Sequence, residues 1–219
     1  MLDRDMREPL FDYLEDFYGK IRILEEKSVG SSRMDVFAVL DGEFIGFEIK
    51  SDSDSYTRLK TQTVDYDRVC DYCYLVVGRS HRQHAHEHIP PHWGMLVVQE
   101  TDDGQVEVLM DQLPARNEKT TLAEQICFLW RPELQQLLKD NELPAYAAKS
   151  KQFVRDVLLE RVDPVALKRQ ITDILFERDY QQLLEQIYQK RVENAAKRGK
   201  RIRSALPKRT KKKRRRRSS

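Results

Sequence analysis

No stretch of this 219-residue chain is apolar over anything near the roughly 20 residues that a helix needs to cross a bilayer, so no membrane partner is expected. Cysteine is scarce. Cys70, Cys73 and Cys127 make no paired disulfide framework, and no signal peptide is read at the N-terminus. The expectation is a reducing compartment, the cytoplasm. Internal repeats are missing as well. Acidic residues are almost missing from one place: residues 190–219 hold 16 Lys and Arg against the single acid Glu193. The other 189 residues carry 23 basic and 35 acidic side chains, a net of −12, which the overall +3 conceals. A tail ending KRTKKKRRRRSS cannot bury a core and is expected to be disordered when free. It would hold phosphate backbones electrostatically, with strong salt dependence and no reading of sequence. A nuclear-localisation signal, RNA or ribosome binding and adhesion to acidic membranes are its rival readings; tethering to nucleic acid is the favoured one.

What is present is concentrated between Met34 and Lys50, MDVFAVL-DG-EFIGFEIK. An Asp-Gly pair between two apolar runs signals a two-residue hairpin turn. With Asp41-Gly42 as the turn, Leu40 opposes Glu43 and Asp35 opposes Glu48, Cβ atoms roughly 5 Å apart. Lys50 follows two residues later on the same face. Met34, Val36, Ala38, Leu40, Ile45, Phe47 and Ile49 make the other face, so one face is expected to be core and the other to present two carboxylates and an ammonium. Opposed carboxylates repel unless a cation separates them, and their hard oxygens suit Mg²⁺ or Mn²⁺. Mg²⁺ bound by only two carboxylates keeps several waters, and a lysine at its edge can orient water or neutralise charge growing on phosphate. A surface Glu-Lys pair on an exposed strand is the bland reading, but it leaves the opposition of Asp35 and Glu48 unexplained.

At these residues the chain resembles the PD-(D/E)XK nuclease superfamily: an acid, Asp35, then Glu48-Ile49-Lys50 as (D/E)-x-K. The literal Pro-Asp is absent, since Met34 precedes Asp35. Ser51–Ser55 suits a turn and helix N-cap, and a helix is expected from Tyr56 to about Val69, with Leu59, Thr63, Tyr66 and Val69 or Cys70 at helical spacing. Gln62 and Tyr66 stand four apart on it, and Gln-x-x-x-Tyr after E-x-K resembles the RecB-like branch. The resemblance implies a restriction-endonuclease-like α/β core over roughly residues 1–112, and DNA as the nucleic-acid partner. It implies Mg²⁺ or Mn²⁺ held by Asp35, Glu48 and the Ile49 carbonyl, Lys50 positioning water, and Gln62 and Tyr66 arranging substrate. An acid on the preceding helix, Asp5–Tyr18 with Leu10, Leu14 and Phe17 on its stripe and Pro9 in its first turn, would support the metal. Glu8 is the best match; Asp12 and Glu15 read equally as solvated surface. Arg33 and Arg58 are placed to touch phosphate, although exposed basic residues are common. Glu48-Ile49-Lys50-Ser51-Asp52, Arg58-Leu59 with Gln62, and Pro91-His92-Trp93-Gly94 also resemble a group of small bacterial proteins of this superfamily.

Downstream, Tyr72–Gly78 reads as a buried strand, and Gly94–Gln99 with Val106–Met110 as a hairpin about Asp103-Gly104. Cys70 and Cys73 form C-x-x-C near His81, His84, His86, His88 and His92. Two of each would complete a zinc site, but Cys70 ends a helix and Cys73 sits in an apolar strand, so a solvated histidine loop is expected. Cys127 lies on an apolar helical stripe and reads as core. Helices are expected over Thr120/Thr121–Lys139, broken or restarted at Pro132; from Ser150 through Arg161; after the Asp163-Pro164 pair; and from about Asp179 into the tail. The organisation expected is a nuclease-like core over 1–114, an α-helical region over 115–189 and the tail over 190–219. The function expected is metal-dependent hydrolysis of DNA phosphodiesters, endo- or exonucleolytic, in repair, recombination or phage and defence settings. The alternative is a catalytically silent nucleic-acid-binding or adaptor protein that works through its tail.

Overall fold

A computed structural model describes residues 1–180 and, beyond them, residues 182, 185, 188, 189, 192 and 193. Of the tail expected over residues 190–219, all but Val192 and Glu193 lies outside the described residues, and the expectation of disorder with it. Met1–Glu177 forms one compact unit and Arg178–Ser219 is a second. The first unit is α/β. A six-stranded mixed sheet runs in the order β1 (Arg22–Val29), β2 (Ser32–Leu40), β3 (Glu43–Lys50), β4 (Tyr72–Gly78), β5 (Gly94–Glu100) and β6 (Val106–Gln112). The β3–β4 and β4–β5 pairs are parallel and the others antiparallel. Helices flank it: α1 (Asp3–Tyr18), α2 (Leu59–Asp67), α3 (Arg82–Ala85), α4 (Leu122–Gln125), α5 (Arg131–Asp140), α6 (Lys151–Arg161) and α7 (Pro164–Phe176). Among the described residues no helix is long and apolar enough to cross a membrane.

The Asp41-Gly42 turn sets the β2–β3 register as expected, pairing Leu40 with Glu43, Ala38 with Ile45 and Val36 with Phe47. Gly42 takes the left-handed φ of 72° that the tight turn asks of it. The expectation that only one face of the hairpin would be core does not hold. Val36, Ala38, Ile45, Phe47 and Ile49 pack with Met6, Leu10 and Leu14 of α1 on one face. On the other, Phe37, Val39 and Phe44 are equally buried, under α2 and the helices after β6. A central parallel pair has to be covered on both sides, because βαβ crossovers lay helices on its faces. The chemistry therefore occupies one end of a covered face. Met34 departs from the strand alternation: it joins Phe37 and Val39, with its sulfur 3.6 Å from Cys70 Sγ.

Several local expectations are corrected. Pro9 lies inside α1 and beyond its first turn, the helix having begun at Asp3. The buried stripe of α1 is Met6, Leu10 and Leu14, spaced four apart, while Phe17 is exposed. Strand β1 was not foreseen, because Glu25-Glu26-Lys27 interrupts any apolar alternation. Helix α2 is shorter than expected; Leu59, Thr63 and Tyr66 are buried on it as the spacing predicts. Pro132 sits in the first turn of a fresh helix, α5, after the chain extends at Leu129. Cys127 is exposed: its stretch is a short 3₁₀ turn, and that shorter period rotates residue 127 off the apolar stripe. Ser150 and Asp163 cap α6 and α7, accepting from Phe153 N at 3.1 Å and Ala166 N at 2.9 Å. Leu167, Ile171 and Leu175 point inward from α7, with Ile174 half-buried.

Candidate active site

The β2–β3 ladder stops at Val36–Phe47, one residue short of Asp35 and Glu48. Asp35 continues it with its side chain: Oδ2 accepts from the Ile49 N–H at 2.8 Å. A carboxylate is thereby fixed beside the strand end that carries the E-x-K residues. Alternation along β3 puts Glu48 and Lys50 on the α2 side, both buried, 1% and 4% exposed. Lys50 Nζ donates to Glu48 Oε1 at 2.5 Å. From α2, Gln62 Nε2 donates to the same oxygen at 2.5 Å, and the Tyr66 hydroxyl donates to Glu48 Oε2. Gln62 Oε1 lies 3.4 Å from Lys50 Nζ, so the amide bridges both partners of the ion pair. The Tyr66 ring is buried against Trp93, with centroids 5.6 Å apart, and its oxygen is 3.2 Å from the Arg33 carbonyl.

Residues 35, 48, 50, 62 and 66, read from the sequence as one constellation, are thus brought together. Their electrostatics follow from crowding. Burial and the charge of Glu48 push Asp35 up to about 7, against the pull of the Ile49 N–H, Lys50 and Arg7. Burial, reinforced by Glu48, holds Tyr66 far above its usual range, so it stays a protonated donor. A carboxylate offers about four lone-pair sites. Three donors meet Glu48, and Asp35 takes one bond from Ile49, so each carboxylate keeps an unfilled acceptor site. Among the described residues, this site included, no three His, Cys, Asp or Glu side chains gather as metal ligands; Asp35 and Glu48 are two.

The constellation opens into a cleft of about 770 Å³, lined by Asp35, Glu48, Ile49, Lys50 and Gln62 and rimmed by Arg33 and Arg58, both exposed. Glu8 is not brought to it. The buried stripe at Met6 and Leu10 turns Glu8 to solvent, whereas Asp3 and Arg7, one turn apart, line the cleft. Arg7 is the residue that sequence reasoning missed. Its guanidinium meets Asp3 Oδ2 at 3.0 Å, Glu25 Oε2 at 2.8 Å, Glu26 Oε1 at 3.1 Å and the Asp35 carbonyl at 3.4 Å. Glu26 was missed with it, along with the strand that carries it. The C-x-x-C cysteines are both buried core residues, and burial raises the Cys73 thiol. In the histidine loop, His92 Nε2 lies 2.9 Å from Asp67 Oδ1, which also accepts from Trp93 Nε1 at 2.9 Å, and His88 stacks on Tyr56. These contacts tie the loop to α2.

A family model, Bacteriophage P4 protein cII, matches residues 6–203. The chain belongs to that family. The match takes in every constellation residue named above and runs through the helices after β6, which places one family pattern across strands and helices alike. No curated protein matches the chain. Among solved structures, SfsA of Pyrococcus furiosus in complex with Ca²⁺ is similar at 15% identity over 51% of this chain and 62% of that one, with a TM-score of 0.32. An XisH family protein from Nostoc punctiforme is similar at 18% identity over 45% of this chain and 93% of that one, TM-score 0.30. An fdxN element excision controlling factor protein from Anabaena variabilis is similar at 19% identity over 46% and 96%, TM-score 0.28. These likenesses are partial and too weak to bear on function.

Proposed function

We propose that this member of the P4 cII family is a metal-dependent nuclease of PD-(D/E)XK type, of the RecB-like branch, acting on DNA. The observation that carries the reading is the convergence of Lys50, Gln62 and Tyr66 on Glu48, beside a second carboxylate whose proton affinity that charge raises, at the floor of an open cleft. A divalent cation would offset the repulsion by which Glu48 raises Asp35. Asp35 and Glu48, with the Ile49 carbonyl, would hold Mg²⁺ or Mn²⁺, which when bound supplies positive charge to polarise a phosphoryl oxygen and acidify water.

The chain's own side chains do the rest. Gln62 and Tyr66 fix the plane and position of the Glu48 carboxylate from α2. Lys50, held by Glu48 and Gln62, presents its ammonium at the cleft floor, where it orients the attacking water and offsets negative charge developing on phosphate. Arg33 and Arg58 at the rim attract the strand electrostatically. The basic run of residues 190–219 tethers the protein to nucleic acid without reading its sequence. One observation favours the silent, binding-only reading. The Glu48–Lys50–Gln62–Tyr66 network is closed and largely buried, as a purely structural polar cluster would be.

Labelled linear, circular and single-stranded DNA incubated with Mg²⁺ or Mn²⁺ separates the two. Metal-dependent cutting by the wild type that Lys50→Ala abolishes is the expected result, and loss of the circular substrate marks an endonuclease. No cutting of any substrate, with salt-sensitive binding intact, leaves the binding module.

A further inference from the structure

Glu26 has the backbone of a residue placed against its preference. In the middle of β1 it takes φ 56°, a left-handed conformation that side chains other than glycine rarely adopt. The β1–β2 ladder pairs Glu25 with Val36 and Lys27 with Met34, passing over Glu26 and Asp35. The distortion turns the Glu26 side chain into the cleft wall. There it meets two arginines: Arg7 Nη2 lies 3.1 Å from Oε1 and Arg33 Nε lies 2.5 Å from Oε2. Arg33 stands two residues before Asp35, Arg7 also reaches the Asp35 carbonyl oxygen, and both arginines line the same cleft as Asp35.

Two guanidiniums gripping the two oxygens of one anion is the way arginine binds a phosphate. We infer that Arg7 and Arg33 form a phosphate seat that the Glu26 carboxylate fills in the free protein, and that a phosphate of the bound strand displaces it. The inference rests on the nucleic-acid reading above and adds a binding step to it. Glu26 serves as a built-in competitor. It keeps Arg33 paired and holds one nitrogen of Arg7 when no strand is present, and a backbone or terminal phosphate, which brings the same pair of oxygens, takes its place. Arg7 is the anchored half of the seat, fixed also by Asp3 and Glu25. Arg33, with its side chain 67% exposed, is the half that is free to follow the strand.

The test is equilibrium binding of fluorescent oligonucleotides to the full-length chain in EDTA, where cleavage plays no part. Glu26→Gly removes the competitor and suits the left-handed backbone, so the variant is expected to fold. Glu25→Gln is the control, because it removes the same charge from a partner of Arg7 that does not touch Arg33. The expected result is severalfold tighter binding by Glu26→Gly than by either wild type or Glu25→Gln. Adding Arg33→Ala should erase that gain and lower the salt slope by about 1. Oligonucleotides with and without a 5′-phosphate separate the sources: a gain confined to the phosphorylated strand assigns a terminal phosphate, and an equal gain on both assigns the backbone. Equal tightening by Glu26→Gly and Glu25→Gln, or none by either, overturns the seat. Neither result touches the nuclease reading, which stands or falls on the cleavage assay.

Discussion

Asp35 shows what one residue's surroundings do to its chemistry. Burial and Glu48 raise its carboxyl to about 7, so the native state favours the neutral acid while the unfolded chain releases the proton near pH 4. Between those values the native state binds the extra proton. Asp35 therefore makes stability fall as pH rises from about 4 to about 7, and its effect levels off above. Asp35→Asn, which can still accept from the Ile49 N–H, should remove that slope and leave the protein more stable at pH 8 in EDTA, on the order of 2 kcal/mol. Urea titrations of both proteins at pH 5 and pH 8 check this; an unchanged gap between the two across that range would sink it. Tyr66→Phe keeps the stacking on Trp93 but takes one donor from a buried carboxylate. A loss of about 1.5–3 kcal/mol is expected, the range for a hydrogen bond to a charged group. Cutting should fall with it as Glu48 loses its fixed plane. A stability loss with full activity would show that Tyr66 is only structural.

At the scale of elements, the β2–β3 hairpin was legible down to its register, because Asp41-Gly42 leaves one tight turn and both strands are uninterrupted. The spacing of Gln62 and Tyr66 was legible for a similar reason, since four residues on a helix share a face in any context. Strand β1 was not. It lies at the sheet edge, its Glu25-Glu26-Lys27 run reads as solvated loop, and Glu26 breaks the ladder. The facing of α1 was half legible: its amphipathic stripe was plain, yet Glu8 and Arg7 are adjacent and only docking on the sheet decides which one meets the cleft. Helix α2 approaches β3 closely at Gly46, where an added Cβ would lie 2.9 Å from Cys70 Sγ and 3.2 Å from the Tyr66 ring. Gly46→Ala should therefore push α2 outward and destabilise by about 1–3 kcal/mol. Thermal melts read the loss, and an unshifted Tm would mean that α2 yields without strain.

At the scale of the whole molecule, charge is divided along the chain, acidic through residue 189 and basic after it. Removing residues 190–219 should weaken nucleic-acid binding across all sequences and flatten its salt dependence, leaving the cleft's residues in place. Filter binding from 50 to 300 mM salt (about that range, where counterion release is steep) measures it; an unchanged slope would assign the tail to another partner. The sequence by itself determined the hairpin and its register, the placing of Asp35 and Glu48 at one end of it, the E-x-K order and this charge division, because turn chemistry, strand alternation and composition are local. Only the tertiary structure decided that both faces of the sheet are buried, that Ile49's N–H holds Asp35, that Arg7 rather than Glu8 enters the cleft, and that Glu26 lies between two arginines. Each of those depends on where a helix or an edge strand docks, and docking is settled by packing among residues far apart in the chain.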